Sequence, residues 1–191
     1  MNKNRVEAFS DGVLAIIITI MVLELRVPHG PDPSALRPLA PVLLSYLLSF
    51  VFLGIYWNNH HHLLQVAQHV GGNVLWANLH LLFWLSLFPF VTAWMGENHF
   101  ATWPVALYGV VQFCAGAAYF VLVRTLLAVH ERGSALARAI GKDFKGIVSV
   151  AIYAAAIPLA FVSPWIAVAL YVAVAVVWLV PDPRMEKVLT R

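Results

Sequence analysis

Two groups of polar side chains interrupt an otherwise apolar chain. Arg5, Glu7, Ser10 and Asp11 stand at the head of an apolar run that continues to Leu25, and Asn58, Asn59, His60, His61 and His62 close a second apolar run, with His80 inside a third. Carboxylates and imidazoles are side chains that carry protons, and histidine changes charge near neutral pH. Imidazole also suits zinc, copper, iron or nickel. Consecutive helical residues point about 100° apart, so at most two of His60, His61 and His62 can face one ion. No His-Glu-x-x-His pattern or cysteine pair supplies the remaining ligands. The histidines therefore read as interfacial or network residues that could make the protein pH-sensitive, and no metal site is expected. Ser45, Ser49 and Ser86 have no paired base at a readable spacing, and serines in membrane helices commonly bond to the backbone. No enzyme is expected. An intramembrane carboxylate such as Asp11 often marks a proton path, which leaves a proton-coupled transporter or proton leak as an alternative function; discontinuous helices and inverted repeats, expected of transporters, are not evident.

The elements that must position these residues are membrane spans. Of 191 residues, 61% are hydrophobic and 11% charged, against roughly 45–50% and about 25% in soluble domains. The apolar runs are too many for one signal peptide or anchor. No separate soluble domain is visible, so residues 1–191 read as one unit. The one cysteine, Cys114, says nothing of redox compartment. The net charge of +3 resides beside the spans, which points to anionic lipid headgroups rather than nucleic acid. About 20 residues cross a bilayer, and six candidates appear at about 6–25, 39–62, 74–95, 103–127, 146–162 and 165–180. Pro89 and Pro158 are expected to kink the third and fifth. With six spans, one side holds Lys3, Arg5, Arg124, Arg132, Arg138, Lys142, Lys145, Arg184, Lys187 and Arg191, and the other only Arg26 and Arg37. The positive-inside rule then places both termini in the cytoplasm. Trp94, Trp103 and Trp165 fall at the outer interface, and Trp57, Trp76 and Trp178 towards the inner one, as an aromatic belt requires.

Projected at 3.6 residues per turn, Gly12, Ile16, Thr19, Ile20 and Leu23 share one face of the first span, and Ser10, Leu14, Ile17, Met21 and Leu25 lie on or near the other. Asp11 lies away from the Ile16 face. An ionised residue within a span costs roughly 2.5–3.5 kcal/mol and needs a partner inside the bundle. Its four-back neighbour is Glu7, a like charge, and Arg5 is on a different face. Asp11 is therefore either protonated, or bonded to a donor from the second or third span (Trp57, Asn58, Asn59, His60, His61, His62 or His80), or a helix-start residue in the headgroup region, where aspartate is favoured. The isoleucine face by itself reads as lipid contact or core packing.

Arg5-x-x-x-Phe9-Ser10-Asp11 followed by an apolar helix resembles the signature of the transmembrane protein 175 family of potassium channels. Tyr56-Trp57-x-x-His60-His61 is similar to that family's second-helix pattern, and Asn78 through Pro89-Phe90-x-Thr92 to its third. The resemblance covers most of the chain and is weakest over the last two spans. It implies an all-α fold of six transmembrane helices per chain, with the first helix lining a central pore in a homotetramer in the cell (plasma) membrane. It implies pore constrictions at Ile16 and Leu23, with Thr19 and Ile20 between them, and an interhelical network or assembly role for Arg5, Phe9, Ser10 and Asp11, with Trp57, His61 and His80 as candidate partners. The implied function is a cation channel with modest potassium selectivity, whose permeant ion is potassium, whose partners are its own copies and lipid, and which needs no cofactor. No Thr-Val-Gly-Tyr-Gly filter is present, so selectivity and gating would both fall to the apolar constriction.

Overall fold

The structure, a computed structural model, describes residues 3–131, 134–140 and 143–179. All regular elements among them are helical. The opening apolar run forms α1 (Lys3–Leu23), and a short 3-10 segment, Pro33–Leu39, leads into α2 (Ala40–Val66). The Asn58–His62 run is thus inside α2, which extends a turn past the expected end near residue 62 because Leu63 and Leu64 still have a core to bury against. The segment expected as one kinked span at 74–95 is a pair, α3 (Gly72–Ser86) and α4 (Phe88–Glu97). The cause is Pro89, which has no N–H and whose ring clashes with the carbonyl four residues back; the chain tightens there through Leu87 N–H to Trp84 O at 3.3 Å. Next come α5 (Thr102–Ala128), the short α6 (Ala135–Ile140), α7 (Phe144–Leu159) and α8 (Pro164–Leu179). Pro158 falls in the last turn of α7, where its missing N–H leaves the carbonyl four residues back without its helical donor.

The α4–α5 turn needs left-handed backbone at two non-glycine residues, His99 (φ 51°) and Phe100 (φ 59°), an uncommon state. It is held by the Phe100 N–H bond to Met95 O at 3.0 Å and by the buried Phe100 ring, 5.4 Å from that of Trp165.

The helix α5 is the central post, packed against α3, α4, α7 and α8, and α1 leans on α2, α3 and α4. The approach of α4 to α2 is close enough that a Cβ at Gly96 would lie 2.8 Å from Val42 Cα. Four segments (α1; Pro33–Val66; Gly72–Glu97; α5) are long and apolar enough to cross a membrane, and α7 and α8 have 16 residues each, about 24 Å at 1.5 Å per residue. The architecture is all-α with six apolar spans. The apolar stretch of α1 is 28% buried, against 50% in α5; α1 is a peripheral helix of the chain. Of the cations that set the expected orientation, Arg132, Lys142, Arg184, Lys187 and Arg191 lie outside the described residues, as does residue 180 at the end of the sixth expected span.

Candidate functional site

The helix α1 has two sharply different sides. Val6, Ser10, Leu14, Ile17 and Met21 are buried. Gly12, Ile16, Thr19, Ile20 and Leu23 are exposed, Ile16 at 60% and Leu23 at 76%. No heavy atom lies within 4 Å of where a Gly12 Cβ would be. The Thr19 hydroxyl donates to Ala15 O at 2.8 Å, which spends its proton within the helix and leaves the oxygen's lone pairs outward-facing acceptors. Phe9 is also exposed, so it belongs to the free side of α1 and not to the packed one.

The packed side carries two sets of polar contacts. On its flank, Glu7 and Asp11, one turn apart, meet His61 and Trp57, one turn apart on the antiparallel α2. Trp57 Nε1 donates to Asp11 Oδ1 at 3.0 Å, and His61 Nδ1 lies 3.1 Å from Glu7 Oε1. The Trp57 and His61 rings stack with centroids 6.0 Å apart. The like charges at i and i+4 are tolerated because each carboxylate has its own donor. Beneath this lies a fully buried relay. Asn78 Nδ2 of α3 donates to Ser10 Oγ at 2.9 Å, Ser10 Oγ donates to Val6 O at 2.8 Å, and Asn78 Oδ1 pairs with His60 Nε2 at 2.7 Å. Asn78 thus ties α1 to α2 through α3.

Besides Phe9, two more of the expected network residues are elsewhere. Arg5 is exposed, and its side chain makes no hydrogen bond or ion pair among the described residues. It projects from the first turns of α1, off the face that meets α2. His80 accepts from Trp84 Nε1 of its own helix at 3.0 Å and does not reach α1; two positions after Asn78, it points about 200° away from it. Among the described residues no group of three His, Cys, Asp or Glu side chains is placed to hold a metal ion. His60 and His61 show why: their rings diverge to Asn78 and Glu7.

Sequence reasoning missed a second polar cluster deeper in the bundle. Thr92 Oγ1 of α4 donates to Ser49 Oγ of α2 at 2.6 Å and lies 3.9 Å from Met21 Sδ of α1. Ser49 Oγ is 3.0 Å from the Tyr108 hydroxyl of α5, which accepts from Gln112 Nε2 at 3.3 Å. The available signal was neutral polar residues far from the ends of apolar runs, which must find one another where water is absent.

Residues 5–89, which hold α1, α2 and α3, match the profile of the family described as endosomal/lysosomal potassium channel TMEM175. A protein of Chryseobacterium sp. (strain P1-3) named a potassium channel is 51% identical over 187 residues, 98% of this chain and 97% of that one. The chain belongs to the TMEM175 family. The crystal structure of a lysosomal potassium-selective channel TMEM175 homologue from Chamaesiphon minutus superposes with a TM-score of 0.81 at 29% identity, covering 92% of this chain and 95% of that one. Animal relatives match over a small part of their own length: the endosomal/lysosomal proton channel TMEM175 of Danio rerio is 41% identical over 75 residues, 33% of this chain and 14% of that protein. TMEM175 proteins are ion channels and not enzymes, and this chain, with its apolar helices, is a multi-pass membrane protein.

Proposed function

We propose that this chain is the subunit of a potassium channel, a homotetramer in the cell membrane with both termini in the cytoplasm, in which α1 of each copy lines the pore. The observation that carries the reading is the two-sidedness of α1. Its polar contacts are consumed by α2 and α3, while the uncharged face of Gly12, Ile16, Thr19, Ile20 and Leu23 is left free by the subunit's own fold. The names of the relatives, potassium channel in Chryseobacterium and potassium-selective channel in Chamaesiphon minutus, support the ion.

In this reading Ile16 and Leu23 form apolar rings. A bare ion entering such a ring meets no oxygens to replace its water, and full desolvation of a charge costs tens of kcal/mol in idealised estimates. The ion keeps part of its shell, and potassium sheds the rest more cheaply than sodium. Preference is modest because nothing in the ring rewards one ion over another. The same ring closes by expelling water, so filter and gate are one element. Thr19 oxygens between the rings offer partial coordination, and Glu24, just past Leu23, is an exposed carboxylate that draws cations to that end. Arg26, the adjacent cation, is turned to Glu97 at 3.2 Å.

The test is potassium efflux from liposomes holding the purified protein, with mixed-salt reversal potentials in planar bilayers. The wild type passes potassium without a proton gradient, and Ile16→Asn raises conductance and flattens the preference over sodium. An unchanged reversal potential removes Ile16 as the selective element. A second reading, a proton pathway using Asp11, is favoured by the name of the Danio rerio relative, a proton channel. It predicts proton flux that disappears in Asp11→Asn while the potassium current persists.

A further inference from the structure

A cavity of about 350 Å³ lies among α2, α5, α7 and the end of α8, and no residue of α1 lines it. Its volume is at the lower end of small-molecule sites, roughly 300–1,000 Å³. Six of its walls are rings: Phe52, Tyr56, Tyr119, Phe120, Tyr153 and Trp178. Most polar groups around it are already satisfied. Trp178 Nε1 donates to Ser149 Oγ at 2.8 Å, Ser149 Oγ donates to Lys145 O at 2.8 Å, and Tyr119 OH donates to Asn59 O at 3.2 Å. Asp143 caps α7 by accepting from Gly146 N–H at 2.9 Å.

Two groups are left over. The hydroxyls of Tyr56 and Tyr153 make no hydrogen bond among the described residues, although both residues line the cavity and Tyr153 is only 3% exposed. Neither oxygen is among the buried atoms that lack a partner, so both hydroxyls are open to whatever fills the cavity. Among the described residues the one charged group in the lining is the carboxylate Asp143, and Lys145 Nζ lies over the ring of the lining residue Trp178, 5.9 Å from its centroid. A fatty-acid carboxylate or a phosphate inside the lining would meet the Asp143 carboxylate, and a hydrocarbon tail would leave both phenols unpaired.

We infer that this cavity binds a flat, uncharged, membrane-soluble ring that carries hydrogen-bond-accepting oxygens, the chemistry of a quinone head group, with the Tyr56 and Tyr153 hydroxyls donating to those oxygens and the aromatic walls enclosing the ring. Ala117, on the α5 wall of the cavity, is the position from which a larger side chain fills it.

The experiment titrates the full-length protein in lipid nanodiscs with a decyl-substituted benzoquinone and follows quenching of tryptophan fluorescence, with decylbenzene as the oxygen-free competitor. The expected result is saturable quenching in the wild type, absent in Ala117→Phe, and at least about tenfold weaker affinity when Tyr56→Phe and Tyr153→Phe are combined, one good hydrogen bond's worth. Without quinone the double variant should be as stable as the wild type or more so, because it only deletes two unpaired hydroxyls. Equal, linearly rising quenching in the wild type and Ala117→Phe would mean mere partition into lipid and would overturn the assignment. So would unchanged affinity in the double variant, or effective competition by decylbenzene. Should Ala117→Phe not fold, the double variant, which loses only two oxygens, decides the question.

Discussion

Replacing Asn78 with leucine tests whether the buried relay holds α1 in place. Asn78 is 2% exposed and makes two side-chain bonds, to Ser10 at 2.9 Å and to His60 at 2.7 Å. Interhelical side-chain bonds in membrane proteins average about 0.6 kcal/mol and reach about 1.7, so losing both removes about 1.2–3.4 kcal/mol. His60 adds to this. Its Nδ1 already has no partner, so in Asn78→Leu neither ring nitrogen is bonded, and a newly orphaned buried group costs about 1–3 kcal/mol. The greater hydrophobicity of leucine offsets part of that. The expected net loss is about 2–4 kcal/mol, a shift of roughly 30-fold to 1,000-fold in the unfolding equilibrium. The assay is reversible unfolding in mixed micelles by added denaturing detergent, run as a double-mutant cycle with Ser10→Ala. A coupling of about 0.6–1.7 kcal/mol between the two sites is expected. A loss under about 0.5 kcal/mol, or additive single effects, would refute the argument that Asn78 links α1 to the bundle.

Two other substitutions have definite outcomes. Asp11→Ala removes the acceptor of Trp57 Nε1 but leaves the Ile16 face intact, so in the proposed homotetramer it should lower the yield of the assembly in detergent more than it alters ion preference; size measurements showing an undiminished assembly would reject this. Gly96→Val places a side chain against the Val42 backbone and should destabilise the α2–α4 contact by about 1–3 kcal/mol, the usual penalty of overpacking, as read in the same detergent titration.

How much of this was legible beforehand depends on what each feature needs. Spans need only length and hydropathy, so α1, α2 and α5 could be read to within a few residues. Pro89 announced an interruption, but not that it would divide α3 from α4 at Leu87. The two sides of α1 follow from a 3.6-residue period within one segment. The partners of its polar residues do not, because they depend on how neighbouring helices are rotated. His60 and His61 are adjacent, and only the roll of α2 sends one to Asn78 and the other to Glu7. That roll is hard to read in a helix apolar on every side, where no amphipathic stripe reports orientation. For the same reason His80 was expected on the α1 side and Asn78 was not singled out. The Ser49–Thr92–Tyr108 cluster joins three helices far apart in sequence, and no local pattern specifies it.

The central claim, that the free face of α1 meets the permeating ion, is tested most directly by thiol accessibility. The chain has one cysteine, Cys114, so a Cys114→Ala background carries no competing thiol. In that background Ile16→Cys and, separately, Leu44→Cys on the exposed side of α2 are treated with a charged, water-soluble thiol reagent while potassium current is recorded. Block of the current at residue 16, relieved by reductant and absent at residue 44, is the predicted result. An unaltered current in Ile16→Cys, with the channel otherwise open, would place that face against lipid and contradict the account.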